Sequence, residues 1–317
     1  MRGSVGSQMT RLLQEVYAVG ESKFIDKQEA RQELAIEERS ATSEAIAEKT
    51  DIHSVQTASN YLERWVELGN YAKNELGIKN MEQLSSETVR SFLAEKLEVG
   101  VSYSHFSQYC AAVVKLEKAL NSYAEQASKE TKYSLKDFKD IREEAKAELP
   151  RFTGTRAYSD TQGMISALSG NSRLVARIQL ESGARVAEAS IIKADQLQGL
   201  SRDPHTGREV GSYRFIGKGG KENTAHISLA TYRDLQRAIQ ANGGELKVDA
   251  NSYRAELKTA AVQTGQLYNG SHGLRWNFAQ TRMVELQAHG VGHTQSLGVV
   301  SSELGHNRIE ITQHYLS

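Results

Sequence analysis

The segment SHGLRWNFAQ places a histidine and an arginine three residues apart, at His272 and Arg275. Side chains at this spacing lie on one face of a helix, which is predicted to start near Gly273. Because a helix N-terminus offers free N–H groups and partial positive charge, the pair suits a phosphate oxygen. Taken alone, such a pair is more often a helix cap beside a surface ion pair.

Two further segments carry positive side chains next to glycines. In SGARVAEA, Arg185 follows a turn at Gly183 and Glu188 comes three residues later, which is also the spacing of an ordinary helical ion pair. In GKGGKENTAHIS, Lys218 is predicted at the end of a strand, with Lys221 beyond the glycines. The spacing of a nucleotide-binding P-loop is absent, and a solvated hairpin lysine is the simpler interpretation of Lys218 by itself.

The chain closes with LGHNRIEITQHYLS, which contains His306 and Tyr315. Only Leu316 and Ser317 follow the tyrosine. A chain end is usually frayed and dispensable, so an idle aromatic is expected at this position unless other residues give it a task.

The elements that must hold these residues are predicted to be mainly helical, since the chain has two prolines and is rich in good helix formers. Near residues 174–178 apolar side chains recur at helical spacing, and this run ends at Gly183. Apolar and polar residues then alternate on both sides of GKGGK, which predicts a β-hairpin. Its apolar positions are Tyr213, Phe215, Ala225, Ile227 and Leu229. Helices are predicted to resume at Thr231 and Leu274.

The first half of the chain has helical spacing over residues 54–127, which predicts a bundle of about four helices. Residues 1–8 look like an expression-vector leader and are left out of the predicted fold. The charged residues 26–49 are predicted to be an exposed helix or arm. The predicted division is a leader and possible N-terminal arm over residues 1–50, a helical domain over 51–128, a helix and linker over 129–155, and a second domain over 156–317.

Composition limits the class of protein. The chain has 317 residues, which suits about two domains. Its 39 basic and 39 acidic residues balance, but our count splits at Pro150 into 20 basic and 25 acidic residues, net −5, then 19 and 14, net +5. The positive second half is compatible with a phosphate-handling site. A single cysteine, no signal peptide and no membrane-spanning stretch predict a cytoplasmic protein that does not bind membranes.

The order and spacing of these residues along the chain resemble those of a known family. Arg185, a hairpin with Lys218, HGLR, LGH and then a tyrosine resemble the signature of the tyrosine recombinases, the phage-integrase family. The resemblance covers residues 156–315, and residues 54–127 resemble the family's core-binding domain. It implies a mainly α fold with a small antiparallel β-sheet (α+β), comprising a helical core-binding domain and a tyrosine-recombinase catalytic domain.

By resemblance the catalytic set is Arg185, Lys218, His272, Arg275, His306 and Tyr315. The tyrosine would attack a DNA phosphodiester and form a 3′-phosphotyrosine, while the arginines would clamp the non-bridging oxygens. The histidines would donate to the phosphoryl group or help deprotonate the tyrosine, and Lys218 would protonate the 5′-oxygen leaving group. Glu188 would orient Arg185, and Lys221 would contact a DNA backbone phosphate.

The resemblance also implies partners and cofactors. The protein would recombine specific sites in double-stranded DNA as a homotetramer on two sites, as an integrase or transposase of a mobile element does. It would need neither ATP nor a metal, and carboxylates do not cluster at ligand-like spacing in the sequence. Two alternatives stay open, a type IB topoisomerase that uses the same chemistry and a DNA-binding regulator that no longer cuts.

Overall fold

The computed structural model describes residues 1–151, 154–217, 222–306 and 309–316. The chain divides into two compact units, Met1–Phe152 and Thr153–Ser317, called unit 1 and unit 2 below. The buried residues of each unit form their own hydrophobic cores. Among the described residues, no helix has the length and apolar character needed to cross a membrane.

Unit 1 is helical. Several of its helices begin at a Ser or Thr whose hydroxyl accepts a backbone N–H, as Ser22, Thr42 and Ser102 do. Its described residues contain a 3-10 helix, Met81–Gln83, and the helices α1 Val5–Gln14, α2 Lys23–Ile36, α3 Ser43–Lys49, α4 Val55–Leu76, α5 Ser86–Glu98, α6 Tyr103–Gln126 and α7 Lys139–Glu148.

The N-terminal residues belong to this fold, so leaving residues 1–8 out of it was wrong. Val5 and Met9 of α1 are buried in the core of unit 1. Helix α1 lies so close to α4 that a Cβ on Gly69 would be 2.5 Å from Cγ1 of Val5. The buried Gln8 side chain also accepts the Met81 N–H at 2.9 Å. The exclusion rested on the resemblance of residues 1–8 to a vector leader, whereas the apolar spacing of α1 decides its burial.

The segment after α6 is less helical than expected. A helix and linker were predicted over residues 129–155; the helix is α7, and Tyr133, Leu135 and Phe138 before it are buried without helical structure. The Leu135 N–H donates to the carboxylate of Glu117 at 2.6 Å. These apolar side chains therefore hold the segment against the core of unit 1, in place of helical hydrogen bonds.

Unit 2 combines helices with two small sheets. Its described elements are α8 Thr161–Ala167, α9 Gly170–Ser182, α10 Val186–Ala189, β1 Ile191–Lys193, β2 Leu197–Arg202, β3 Glu209–Ile216, β4 Glu222–Ser228, α11 Leu229–Ala241, β5 Glu245–Lys247, α12 Ala250–Gln263, α13 His272–Ala288, α14 His293–Glu303 and α15 Ile309–Gln313. A 3-10 helix, Ala194–Gln196, joins β1 to β2.

The predicted hairpin is the β3–β4 pair, in which Tyr213 lies opposite Ala225 in antiparallel register. The structure adds a third antiparallel strand, β2, on the other side of β3, and a separate antiparallel pair, β1–β5. Strand β2 was not predicted because it is an edge strand with mostly exposed residues, so LQGLSR lacks an apolar alternation. Lys218 and Lys221 lie between β3 and β4, outside the described residues.

Three helices of unit 2 meet around the end of α9, since α13 packs against both α9 and α14. Helix α9 ends at Gly183, whose positive φ of 66° suits glycine. A Cβ on Gly183 would lie 2.8 Å from the Leu304 side chain, so this close approach also needs a glycine. The predicted residues of α13 and of the segment after α14 are thereby brought to one place.

Candidate active site

The Tyr315 side chain is buried, with 7% of its surface exposed. Its hydroxyl lies 2.8 Å from Nε2 of His272 at the start of α13. Its ring contacts that of Trp276, with centroids 5.3 Å apart, and its backbone N–H donates to the carbonyl of Thr312 at 2.9 Å. The tyrosine expected to be idle as a chain end is therefore held in a pocket with its hydroxyl against an imidazole.

Arg275 is 1% exposed, and its guanidinium donates to the backbone carbonyls of Gly183 and Leu304. Its Nε has no hydrogen-bond partner, and no carboxylate among the described residues forms an ion pair with it. Burial lowers the pKa of Arg275, and the nearby charge of Arg185 lowers it further. A buried cation of this kind favours an anion beside it.

His306 follows α14 and is held at both ring nitrogens. Its Nε2 lies 3.2 Å from Nη2 of Arg275, and its Nδ1 lies 3.0 Å from Oγ1 of Thr312. The His306 ring also lies beside Tyr315, with centroids 5.3 Å apart. Arginine, imidazole and phenol thus share one pocket.

Both histidines of this pocket are neutral at pH 7. Burial, followed by the charge of Arg275, lowers the pKa of His272 to about 4 and that of His306 to about 4. A neutral imidazole has a lone pair, so Nε2 of His272 can accept the proton of the Tyr315 hydroxyl. The same positive potential that keeps the rings neutral would stabilise negative charge on a phosphoryl group.

Arg185 lies just before α10, where its backbone N–H donates to Glu188 at 2.7 Å. Its Nη1 donates to the other carboxylate oxygen of Glu188 at 2.8 Å. Glu188 is buried, whereas the Arg185 side chain is 31% exposed. A Cβ on Gly305 would lie 3.9 Å from Nη1 of Arg185, so this guanidinium faces the turn that carries His306.

The structure therefore brings together five of the six predicted catalytic residues, with Glu188 beside the first arginine. They are Arg185, His272, Arg275, His306 and Tyr315. The sixth, Lys218, and the predicted DNA contact Lys221 lie outside the described residues. Within the described parts of the chain, no group of three or more His, Cys, Asp or Glu residues is arranged to hold a metal ion.

Several residues of the pocket were not found from the sequence. Trp276 is buried between Tyr315 and His314, and Thr312 binds the ring of His306. Thr312 lies three residues before the tyrosine, a helical spacing that could have indicated it. The two carbonyl groups that bind Arg275 carry no sequence signal, since every residue has one.

A second buried arginine, Arg282, lies further along α13 and is paired with carboxylates. Its guanidinium contacts Asp203 at 2.5 Å, Glu303 at 2.8 Å and Glu285 at 2.7 Å. Burial alone would lower the pKa of Arg282, but the hydrogen bonds to Glu303 raise it overall. This network fixes the end of α14, next to Leu304.

No protein-family profile and no curated protein sequence matches the chain. Among solved structures it is similar to the XerH site-specific recombinase bound to palindromic difH substrate in a post-cleavage complex, with a TM-score of 0.60, 16% identity, and coverage of 99% of this chain and 93% of that one. It is also similar to the Tn1549 transposon integrase in complex with circular intermediate DNA, with a TM-score of 0.52, 14% identity, and coverage of 92% and 95%.

The chain has the tyrosine-recombinase fold. The resemblance predicted from the order of the sequence motifs is thereby confirmed at the level of the fold. The expected fold class, mainly helical with small antiparallel sheets, is confirmed as well. A pocket of arginines, histidines and a tyrosine lies within unit 2 of this fold.

Proposed function

We propose that the protein is a site-specific DNA recombinase, which cleaves and rejoins double-stranded DNA through a 3′-phosphotyrosine at Tyr315. The observation that carries this proposal is the Tyr315 hydroxyl, which lies 2.8 Å from a neutral imidazole beside a buried arginine. The solved structures of the same fold support it, because XerH is described with a difH substrate and the Tn1549 integrase with circular intermediate DNA.

In the proposed cleavage step, the Tyr315 oxygen attacks the scissile phosphorus and its proton passes to Nε2 of His272. The bond from phosphorus to the 5′-oxygen breaks, and that oxygen takes a proton from Lys218. Arg185 and Arg275 hold the non-bridging oxygens, and no ion pair to a described carboxylate competes for the charge of Arg275. One phosphoester replaces another, so a 5′-hydroxyl can reverse the step without ATP.

Recombination requires two DNA sites, and we propose that a homotetramer holds them and exchanges strands through a four-way junction. The rival activity is relaxation of supercoils by a single subunit. A plasmid that carries the cognate site should recombine with a second site, whereas a plasmid without a site should keep its supercoils. Relaxation of the plasmid without a site would favour the topoisomerase.

The covalent step is tested with Tyr315→Phe. Parent protein mixed with a cognate duplex should form an adduct that survives SDS, and Tyr315→Phe should form none because the attacking oxygen is gone. A control is Tyr268→Phe, at a tyrosine that is 36% exposed; it should behave as the parent. An adduct that persists in Tyr315→Phe would reject the proposal.

The role proposed for Lys218 is tested with a modified leaving group. Lys218→Ala should bind DNA normally but cleave slowly, by about 10²-fold or more, because it cannot protonate the 5′-oxygen. A substrate with sulfur in place of that oxygen leaves without a proton and should restore the rate. If the sulfur substrate is cleaved as slowly as the normal one, Lys218 is not the general acid.

A further inference from the structure

The tautomer of the His306 ring can be inferred from its two hydrogen-bond partners. Its Nε2 faces Nη2 of Arg275 at 3.2 Å, and a guanidinium has hydrogen-bond donors but no acceptor. Nε2 must therefore accept, and the proton of the neutral ring is on Nδ1. The partner of Nδ1 is the hydroxyl of Thr312 at 3.0 Å, which accepts this proton.

Thr312 is completely buried and lies on α15, the short helix before the tyrosine. Its side chain accepts from His306, while its backbone carbonyl accepts the N–H of Tyr315 at 2.9 Å. One residue thus contacts both an imidazole of the pocket and the backbone of the reacting residue. Thr312 therefore links the position of the His306 ring to that of the Tyr315 backbone.

We propose that Thr312 is a positioning residue, which holds His306 with Nδ1 protonated, so that Nε2 accepts from Arg275 and helps to fix that guanidinium in the pocket. The part of the proposal that concerns the reaction rests on the proposed function.

The tautomer can be measured without DNA, by ¹⁵N NMR of the full-length protein labelled at histidine. The chain has nine histidines, so the His306 signals are assigned by their loss in His306→Gln. The parent should show a protonated Nδ1 and an unprotonated Nε2. Thr312→Val keeps the shape of the side chain but removes the acceptor, and its His306 should shift toward the other tautomer. Thr312→Ser should keep the parent tautomer.

Single-turnover cleavage of a cognate duplex tests whether the contact between Thr312 and His306 affects the reaction rate. Thr312→Val should cleave about 10- to 100-fold more slowly, the range seen when a partner that orients a metal-bound histidine is lost. Thr312→Ser should recover most of the rate, and Thr259→Val, at an exposed position on α12, should match the parent. Thermal melting of each variant shows that it is folded.

Two results would overturn the positioning role. One is a parent His306 with its proton on Nε2, or a tautomer that does not change in Thr312→Val. The other is a changed tautomer with an unchanged cleavage rate. A parent protein that forms no adduct on any duplex would reject the recombinase function instead, and the NMR comparison of Thr312→Val with Thr312→Ser would still decide whether Thr312 sets the tautomer.

Discussion

Arg275 and Arg282 lie seven residues apart on α13, and both are buried, with 1% and 5% of their surfaces exposed. Arg282 contacts three carboxylates, and its pKa is raised. Arg275 contacts backbone carbonyls and an imidazole, and its pKa is lowered. Two similar side chains on one helix therefore meet opposite electrostatic surroundings.

The difference separates a structural cation from one that suits an external anion. Protein carboxylates neutralise Arg282, so this end of α13 needs no ligand, and the network ties the β2–β3 turn to α14. At Arg275, by contrast, the described residues supply dipoles but no ion-paired negative charge. A phosphodiester would bring that charge, which is why we place the reacting phosphate at this end.

The largest expected effect is on catalysis, at Arg275, the arginine of α13 that has no carboxylate partner among the described residues. Arg275→Ala should slow formation of the SDS-resistant adduct by about 10³-fold, because the transition state loses a preorganised donor. Arg237→Ala, at an arginine whose side chain is 75% exposed, is the matched control and should cleave at the parent rate. The measurement is single-turnover cleavage at saturating protein. An Arg275→Ala rate near that of the parent would remove the distinction between the two arginines.

The second effect is on the stability of the protein, at Arg282, the arginine that is paired with carboxylates. Arg282→Met should lower the free energy of unfolding by about 3 to 5 kcal/mol, because it leaves the buried Asp203 and two partly buried glutamates without their counter-charge. Arg275→Met should lower it less, since no ion pair is broken there. Urea denaturation followed by circular dichroism gives both values. A larger loss for Arg275→Met than for Arg282→Met contradicts this assignment.

The smallest expected effect is a pH dependence of the free energy of unfolding, which comes from the two histidines beside Arg275. His272 and His306 have folded-state pKa values lowered to about 4 from a reference of 6.5, so the unfolded state takes up protons first as the pH falls. Their contribution to stability is full above pH 6.5 and is lost between pH 6.5 and about 4. Each contributes at most about 1.4 kcal/mol per pH unit, and less where solvent screens the ring.

This pH effect is measured as the difference between the parent and a variant without the two histidines, because carboxylates also titrate near pH 4. Urea denaturation at several pH values should give a shallower slope for His272→Gln/His306→Gln than for the parent. His289→Gln, at an exposed histidine, should have the slope of the parent. Equal slopes for the parent and the double variant would mean that burial and the charge of Arg275 do not lower the pKa values of these rings.

The sequence predicted the elements of the site better than its contacts. Helical spacing put His272 and Arg275 on one helix, and α13 begins at His272. The carbonyl partners of Arg275 lie 92 and 29 residues away along the chain, at Gly183 and Leu304. Such contacts depend on tertiary packing, and backbone groups leave no mark in a sequence. The pairing of Arg282 with Asp203 was hidden for the same reason.

The fold outside the site was predicted where apolar periodicity is strong and missed where it is weak. The spacing around Val175 gave α9, and the alternation around Tyr213 gave the hairpin. Strand β2 lacks that alternation, and β1 and β5 have three residues each, which is too short for a period to be recognised. The first residues of helix α1 were set aside because residues 1–8 resemble a leader.

Gly183 joins three features of unit 2 in one peptide unit. Its positive φ ends α9, its carbonyl holds Arg275, and the space where a Cβ would stand is taken by Phe278 and Leu304. A phosphate bound by the Arg275 guanidinium would therefore be coupled, through the Gly183 carbonyl, to the closely packed end of α9. In the proposed reaction, we expect the bound DNA strand to adjust its position to the pocket, because the groups around Gly183 are closely packed.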